Sequence, residues 1–307
     1  MNFFNNFIVI YLQGGLGNQL YQFAFGKALS KKLNCELLID KSYYSQKKNQ
    51  FPETFRLNDF YIEKEIKFIN DSFKYKIQKL NFIKNFFGNE VPIKLLSKIF
   101  FNKKIDNIFF ENFLEVDLQI LKNFKINSAY LGYWEHLKFF DHIKDDIIAN
   151  LNQKNLDTKK IKDFKKLYLK KNSVAIHLSD TRPWPNIYEE LEDDYYIEAI
   201  KYFERLEGIE NIHIFALNKK YALNRLSKII TKNKLIYVSD FNFSTMEEFY
   251  ILRNFDNYII SRSSFGWWGS YLSFSKNANI IVPKKWWVKN KNINIDEGRI
   301  AKYMNAF

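Results

Sequence analysis

The sequence has very few of the features that define several common classes of protein. Its 307 residues include one cysteine, Cys35. A single cysteine excludes an internal disulfide and a cysteine-rich metal site, and it is typical of a reducing compartment. No apolar run approaches the roughly 18 residues that span a membrane. No histidine or cysteine pair has metal-binding spacing, and neither an Asp-x-Asp metal motif nor a nucleophile elbow is present. We therefore expect a cytoplasmic protein that uses no metal.

What the chain does contain is a large apolar and aromatic fraction together with an excess of positive charge. Hydrophobic residues make up 47% of the sequence, aromatic residues 18%, and the net charge is +13. The length and apolar content predict a globular protein of two domains. The charge has several explanations: a solvated lysine surface, a nucleic acid, an anionic membrane face or a phosphate-bearing substrate. Lysine is spread widely along the chain, which counts against a nucleic-acid-binding protein.

The N-terminal 40 residues predict a β-α-β unit with a glycine-rich turn after its first strand. The apolar run at residues 7–12 has neither the basic flank nor the cleavage site of a signal peptide, so it predicts a buried strand. Gly14, Gly15 and Gly17 follow, at a spacing that matches neither a dinucleotide fingerprint nor a P-loop. The turn lets backbone approach a ligand, and Asn18 and Gln19 are expected to face the same space.

The stretch near 61–110 has a different pattern, in which lysines alternate with phenylalanines, tyrosines and leucines. This pattern has two explanations. It is typical of a small helical insertion with a solvated lysine face, and it also suits peripheral contact with an anionic membrane.

The second half of the chain alternates between apolar strands and amphipathic helices. This alternation predicts a mostly parallel sheet with helices on both faces. The predicted strands are residues 173–177, 212–216, 235–238, 258–260 and 279–282, and the predicted helices are residues 194–206, 219–230, 245–254 and 267–274. We expect an α/β protein with domains at 1–160 and 161–307, and a cleft between their strand ends.

Two segments of the second half carry polar chemistry at strand ends. His177 ends a predicted strand, and Asp180 and Arg182 follow within five residues. Arg182 can bind a diphosphate bidentately through its guanidinium. Asp180 can orient His177 or accept a hydrogen bond from a sugar hydroxyl. His177 and Asp180 are the two candidate general bases. A core histidine beside a loop salt bridge explains the same residues without any function.

The other segment follows the strand at 258–260. Arg262, Ser263 and Ser264 precede an apolar helix, and backbone N–H groups at a helix start suit a phosphate. The alternative is a tight turn that caps a helix, with the neighbouring tryptophans in the core.

Three segments resemble the bacterial and animal α-1,2-fucosyltransferases. Residues 14–29 (GGLGNQLYQFAFGKAL) resemble the N-terminal motif of that family, residues 131–134 (LGYW) its Gly-aromatic segment, and residues 259–270 (IISRSSFGWWGS) its C-terminal motif. The resemblance implies a GT-B fold, in which two Rossmann-like domains face one another across a cleft. It also implies inverting transfer of fucose from GDP-fucose to a galactose-type hydroxyl, without a metal.

The resemblance further implies which residues bind the donor. By position they are Asn218, Glu248, Phe265 and the Arg262-Ser263-Ser264 turn, together with the glycine-rich turn; Asn18 and Gln19 face the acceptor sugar. The family's His-any-Arg-Arg-Gly-Asp motif is altered here, since Ser179 and Asp180 occupy the two arginine positions. Arg182 is expected to supply the missing charge. Trp184, Tyr21 and Trp134 are candidates for a sugar platform, although aromatic residues this abundant are more often core residues.

The predicted function is therefore an inverting α-1,2-fucosyltransferase-like enzyme that decorates a lipopolysaccharide, capsule or similar glycan. Its partners are a nucleotide sugar and a glycan acceptor, with possible contact to the anionic inner membrane and no nucleic acid. The altered motif leaves two alternatives: the same fold with another nucleotide-sugar donor, and an inactive homologue that binds glycan or nucleotide.

Overall fold

The computed structural model describes residues 6–45, 54–64, 66–70, 90–92, 105–111, 123–154, 156–170, 172–179, 190–227, 229, 234–284, 286 and 296–307. The chain forms two compact units, Met1–Asn152 and Gln153–Phe307. Each unit contains a six-stranded sheet. The prediction of an α/β protein built on two mainly parallel sheets is confirmed.

The sheet of the first unit has the order β3-β2-β1-β6-β5-β4. Every neighbouring pair is parallel except β4 and β5, which are antiparallel. All five residues of β1 are buried, as expected of a central strand whose two faces are both covered. The strands are β1 (Phe7–Tyr11), β2 (Glu36–Asp40), β3 (Lys67–Ile69), β4 (Glu90–Pro92), β5 (Asn107–Phe110) and β6 (Ser128–Leu131).

Helix α1 (Leu16–Leu33) crosses from β1 to β2 and packs closely on the sheet. A Cβ atom on Gly26 would lie 2.6 Å from Ile10 Cγ1, so this glycine lets the helix approach β1. Asn34 ends the helix in the left-handed conformation, at a φ of 48°. A short helix, α2 (Lys144–Asn150), lies near the end of the unit.

The predicted helical insertion near 61–110 lies mostly outside the described residues. Those of its residues that the structure describes form three short strands, β3, β4 and β5, and no α-helix. The prediction of a helical segment is therefore wrong for these parts, because they pair with the first sheet.

The sheet of the second unit is parallel throughout, in the order β12-β11-β10-β7-β8-β9. Its strands are β7 (Ser173–His177), β8 (Asn211–Phe215), β9 (Lys234–Tyr237), β10 (Asn257–Ile260), β11 (Asn279–Val282) and β12 (Met304–Ala306). Its helices are α3 (Lys159–Tyr168), α4 (Asp193–Glu207), α5 (Lys219–Leu226), α6 (Thr245–Leu252) and α7 (Ser264–Tyr271). Helix α7 begins three positions before its predicted start.

The second unit begins at Gln153, a few residues before the expected boundary at 160/161. The Gln153 side chain donates to the Met246 carbonyl at 3.1 Å and accepts from Arg253 Nη1 at 3.2 Å. Both partners belong to α6 or its C-terminal cap. These buried hydrogen bonds attach the first residue of the second unit to α6.

No helix among the described residues combines the length and the hydropathy that a bilayer crossing requires.

Candidate functional site

The glycine-rich turn after β1 is held in a conformation that favours glycine. Gly14 has a φ of +82°, where a side chain would be strained. Its carbonyl oxygen accepts hydrogen bonds from the Tyr44 hydroxyl at 2.9 Å and from Gln19 Nε2 at 3.2 Å. The Gly14 carbonyl and the Gly15 N–H belong to one planar peptide unit, so these bonds also fix the orientation of the Gly15 N–H. Gly15 is the N-cap of α1.

Gln19 supports this turn from beneath and does not face open space. Its side chain is fully buried. Besides Gly14, its amide donates to the Thr54 carbonyl at 2.9 Å and accepts from the Arg56 N–H at 2.9 Å. The described structure thus contradicts the expectation that Gln19 contacts a sugar, because both polar atoms of its side chain are engaged with backbone.

Asn18 is the predicted acceptor-side residue that keeps an accessible position. It is half-buried, and a Cβ on Gly14 would come within 2.4 Å of Asn18 Nδ2. Asn18 therefore lies directly over the turn. Gly17 is buried in the first turn of α1.

Two polar side chains that sequence reasoning missed join the strand ends of this unit. Gln22 accepts from the Gln13 N–H at 3.1 Å and donates to the Gly132 carbonyl at 2.9 Å. Glu111 accepts from the backbone N–H groups of Tyr133 and Trp134 at 2.5 and 2.9 Å. Their partners are distant in sequence, so no local pattern identifies these roles.

The two aromatic residues of this unit that were candidates for a sugar platform are core residues instead. Trp134 is buried and stacks on Phe25, with ring centroids 4.2 Å apart. Tyr21 is buried and lies edge-on to Phe140. Neither ring can offer a face to a ligand. Trp184, the third candidate, lies outside the described residues.

In the second unit, His177 lies where β7 ends beside β10. The two strands pair in parallel with Ile260 opposite His177. The imidazole lies at a ring distance of 5.6 Å from Phe265. A Cβ on Gly266 would be 2.7 Å from His177 Cγ, so only glycine lets α7 pack against this ring. The sequence predicted His177 and Phe265 for the site, but not that they touch.

Ser261 fixes the orientation of His177, and its role was also missed. Its buried hydroxyl oxygen accepts from the Ser179 N–H at 3.1 Å and lies 3.3 Å from His177 Nδ1. The amide can only donate, so the hydroxyl hydrogen is available to Nδ1. If the hydroxyl donates to Nδ1, a neutral imidazole carries its proton on Nε2; the 3.3 Å contact also fits the other tautomer, in which Nδ1–H donates to the hydroxyl.

The protonation state of His177 follows from its surroundings. Burial of the imidazole lowers the pKa of His177 to about 4, because the charged form loses hydration. At neutral pH the ring is therefore uncharged, and it binds an additional proton only weakly. In the tautomer that accepts from Ser261, the ring offers an Nε2–H hydrogen-bond donor.

The turn between β10 and α7 places three predicted residues together. Ser263 is the N-cap of α7, and its hydroxyl accepts no bond from the helix N–H groups. Ser264 is the first helical residue, and Arg262 is half-buried between strand and helix. The first helical N–H groups have no intrahelical acceptor, which suits an anionic oxygen.

Glu248 on α6 has a strongly perturbed carboxyl group. Burial raises the pKa of Glu248 to about 7, since the carboxylate is poorly hydrated. Its neighbour Phe249 lies edge-on to Phe265 of α7 at 5.3 Å. A carboxyl group poised near neutral pH on a half-buried face is typical of a functional site.

The remaining predicted residues divide into two groups. Asn218 is exposed and caps α5, where its Oδ1 accepts from the Tyr221 N–H at 3.0 Å. This cap gives Asn218 a structural role and leaves its contact with a donor a proposal. Asp180 and Arg182 lie outside the described residues. No set of three or more metal-ligating side chains occurs in the part of the chain that the structure describes.

Comparisons with known proteins agree with the motifs. No family model matches the chain. The O-antigen biosynthesis glycosyltransferase WbnK of Escherichia coli is 27% identical over 301 residues, which cover 91% of this chain and 94% of the relative. An α-1,2-colitosyltransferase of Escherichia coli is 27% identical over 312 residues, covering 94% and 95%.

A solved structure agrees with the fold. The crystal structure of NodZ α-1,6-fucosyltransferase soaked with GDP-fucose aligns with a TM-score of 0.50 at 12% identity, over 87% of this chain and 92% of NodZ. The two-sheet architecture is thus the GT-B architecture of glycosyltransferases. Along nine-tenths of its length the chain is similar to curated glycosyltransferases of the fucosyltransferase-like type. The resemblance read from its motifs is confirmed.

Proposed function

We propose that the protein transfers a 6-deoxy-L-hexose from a GDP-linked donor to the 2-hydroxyl of a galactose-type residue in a surface glycan, with inversion. L-Fucose and its 3-deoxy analogue colitose are the two donor sugars that the relatives suggest. The observation that carries this proposal is the junction of β7, β10 and α7, where a neutral His177 packs on Gly266. The three resembling motifs surround it in sequence order.

The donor diphosphate is proposed to bind at the start of α7. Departure of GDP breaks the bond between the anomeric carbon and the β-phosphate oxygen, and negative charge grows on that phosphate. Backbone N–H groups of α7, the Arg262 guanidinium and His177 Nε2–H stabilise this charge. Arg182 is proposed to add a second cation, although its position lies outside the described residues.

The acceptor hydroxyl attacks the anomeric carbon and must lose its proton as the new bond forms. Because His177 is assigned to the donor phosphate as a hydrogen-bond donor, we assign the general base to Asp180, the other candidate. Asn18, over the Gly14 turn, is proposed to contact the acceptor sugar.

The base of the donor is proposed to be guanine, recognised by Glu248. The Watson–Crick edge of guanine presents two adjacent donors, N1–H and N2–H. A carboxylate accepts both in a bidentate arrangement, whereas uracil and adenine offer no such pair. No described residue pairs with the Glu248 carboxylate, so it can accept from a ligand.

A transfer assay tests the proposal. GDP-L-fucose, GDP-colitose, GDP-mannose and UDP-galactose are each supplied with N-acetyllactosamine or lacto-N-biose, and product is followed by mass spectrometry and two-dimensional NMR. We expect product from GDP-fucose or GDP-colitose, with an α-1,2 linkage. Turnover of the UDP sugar alone would contradict the guanine assignment. Tight GDP binding without turnover of any donor would favour the inactive-homologue alternative.

The Ser261 hydroxyl offers a test of the His177 assignment. Ser261→Ala is expected to weaken GDP binding by roughly fivefold, which corresponds to the loss of about one hydrogen bond. The ¹⁵N NMR signals of the His177 ring should change from a single Nε2–H tautomer to a mixture. Ser270→Ala is the matched control, because its buried hydroxyl bonds only to the Trp267 carbonyl among the described residues, at 2.9 Å. Unchanged ring signals in Ser261→Ala would refute the assignment.

The site of action is proposed to be the cytoplasmic face of the membrane, where a peripheral contact would bring the enzyme to its glycan. The net charge of +13 supports this placement.

A further inference from the structure

Four half-buried aromatic side chains form a connected row in the first unit. They are Tyr43, Tyr44, Phe55 and Phe68, and we call them the aromatic rim. Successive ring centroids are 5.1, 5.8 and 5.3 Å apart. Other large rings of this unit, such as Tyr21 and Trp134, are fully buried. The rim therefore differs from the core aromatics, because its members remain partly accessible.

The aromatic rim adjoins the glycine-rich turn at the carboxyl edge of the sheet. The Tyr44 hydroxyl donates to the Gly14 carbonyl at 2.9 Å. Gln19 holds the Thr54 carbonyl and the Arg56 N–H, so it brings Phe55 to the same turn. Ligands of open α/β sheets bind at this edge, beyond the carboxyl ends of the strands. The rim and Asn18 thus both border one short turn.

Two cationic side chains accompany the aromatic rim. Lys41 Nζ lies 5.1 Å from the centre of the Phe55 ring. Arg56 is half-buried, and its Nη1 is 4.0 Å from Asp59 Oδ2, which is a long and therefore weak ion pair. Asp40, the nearest acid of β2, is buried and accepts from the Ser42 N–H at 2.9 Å. Among the described residues beside the rim, the charge offered to a ligand is therefore positive.

We propose that the aromatic rim with Lys41 and Arg56 is the binding site for an anionic acceptor glycan. Sugar rings pack their C–H faces on the accessible aromatic faces, while Lys41 and Arg56 bind a negatively charged group of the same acceptor. The inference rests on the proposed function and extends it, because it specifies acceptor charge. Two sources supply such a group: the diphosphate that links a glycan to a lipid carrier, and an acidic sugar within the glycan.

Three acceptor probes separate charge from sugar recognition. They share one galactosyl disaccharide, which is attached to a neutral benzyl group, to a farnesyl diphosphate or to a glucuronic acid residue. Binding is measured by saturation-transfer NMR as well as by turnover. Calorimetry with GDP is run on every variant, so a failure of the donor site is recognised separately from a failure of this proposal.

Lys41→Ala and Arg56→Ala are expected to raise the KM for a charged acceptor roughly tenfold, the effect of one hydrogen bond to a charged group. kcat, GDP affinity and the KM for the benzyl glycoside should not change. Phe55→Leu should raise the KM for all three acceptors, because the aromatic face is lost. Lys125→Ala is the matched control. Lys125 is exposed and lies just before the start of β6, whereas the rim lies beyond the carboxyl ends of the strands.

The outcomes are distinct. If the two substitutions raise the KM only for the diphosphate probe, the lipid linkage is the charged group. If they raise the KM only for the glucuronic acid probe, the charged group is an acidic sugar. If wild-type protein binds charged and neutral probes equally, or if Lys41→Ala and Arg56→Ala act no differently from Lys125→Ala, the proposal is overturned. Loss of GDP binding in wild-type protein would instead contradict the proposed function.

Discussion

Replacing Glu248 with glutamine is expected to weaken GDP binding by about thirtyfold, or about 2 kcal/mol, the loss expected when a charged acceptor of two hydrogen bonds becomes a neutral one. The amide presents one acceptor and one donor to a guanine edge that offers two donors. UDP binding should be weak before and after the change. Isothermal titration calorimetry measures both affinities directly.

The pKa of Glu248 adds a pH dependence to this prediction. The bound carboxyl must be ionised, and its pKa in the free protein is about 7. GDP affinity should therefore rise as the pH increases through 7 and level off above it, and this slope should vanish in Glu248→Gln.

The pH dependence of folding stability should have the opposite sign to that of GDP affinity. A carboxyl whose pKa is raised by folding loses stability as the pH rises from about 4.5 to about 7. Glu248→Gln removes that loss, so its Tm at pH 8 should equal or exceed that of the wild-type protein. A variant that binds GDP poorly without becoming less stable indicates a binding role.

Glu247→Gln is the matched control for this experiment. The Glu247 carboxylate accepts from the Ser244 N–H at 2.8 Å and completes the capping box of α6. Its replacement should lower Tm slightly and leave GDP affinity unchanged. If Glu247→Gln and Glu248→Gln weaken GDP binding equally, the guanine assignment is wrong and the effect comes from α6 as a whole.

Replacing Gly266 with alanine is expected to reduce kcat/KM by about a hundredfold, because it displaces the His177 ring that we place on the donor diphosphate. The added Cβ would lie 2.7 to 3.0 Å from three atoms of His177. These contacts are too close, and the near end of the imidazole cannot rotate away from them. Donor binding by calorimetry and steady-state kinetics measure the loss.

Gly269→Ala provides the comparison within the same helix. Its Cβ would meet Leu252 Cδ2 at 2.3 Å, and its three nearest atoms all belong to Leu252. This variant should lower Tm through overpacking, while its folded fraction retains donor affinity. Full activity in Gly266→Ala would show that the position of His177 is unimportant for transfer, which would contradict the mechanism proposed here.

The sequence predicted the second unit well because its signals are local. Strands β7 and β11 begin and end where the apolar runs do, whereas α7 begins and ends three positions before its predicted bounds. The predicted start was too late because the sequence at Ser264, Phe265 and Gly266 is typical of a turn. In the fold, Ser263 already serves as the N-cap. A cap depends on backbone dihedral angles that small residues permit but do not specify.

The parts of the site that sequence reasoning missed depend on contacts between distant residues. Gln19 resembled a ligand-facing residue of a glycine-rich turn, but its partner Thr54 lies 35 positions away. The effect of Ser261 on His177 arises only because β10 pairs with β7, 84 positions earlier. Trp134 could be a platform or a core residue by composition, and only its stacking on Phe25 decides between them.

The central claim is that the second unit binds a guanosine diphosphate sugar, and a calorimetric panel tests it most directly. GDP, UDP, ADP and CMP are titrated into the wild-type protein at pH 8, followed by GDP-fucose and GDP-mannose. The account predicts that GDP binds more tightly than the other three nucleotides and that GDP-fucose binds more tightly than GDP-mannose. Equal or tighter binding of UDP or ADP, or no binding of any nucleotide, would contradict it.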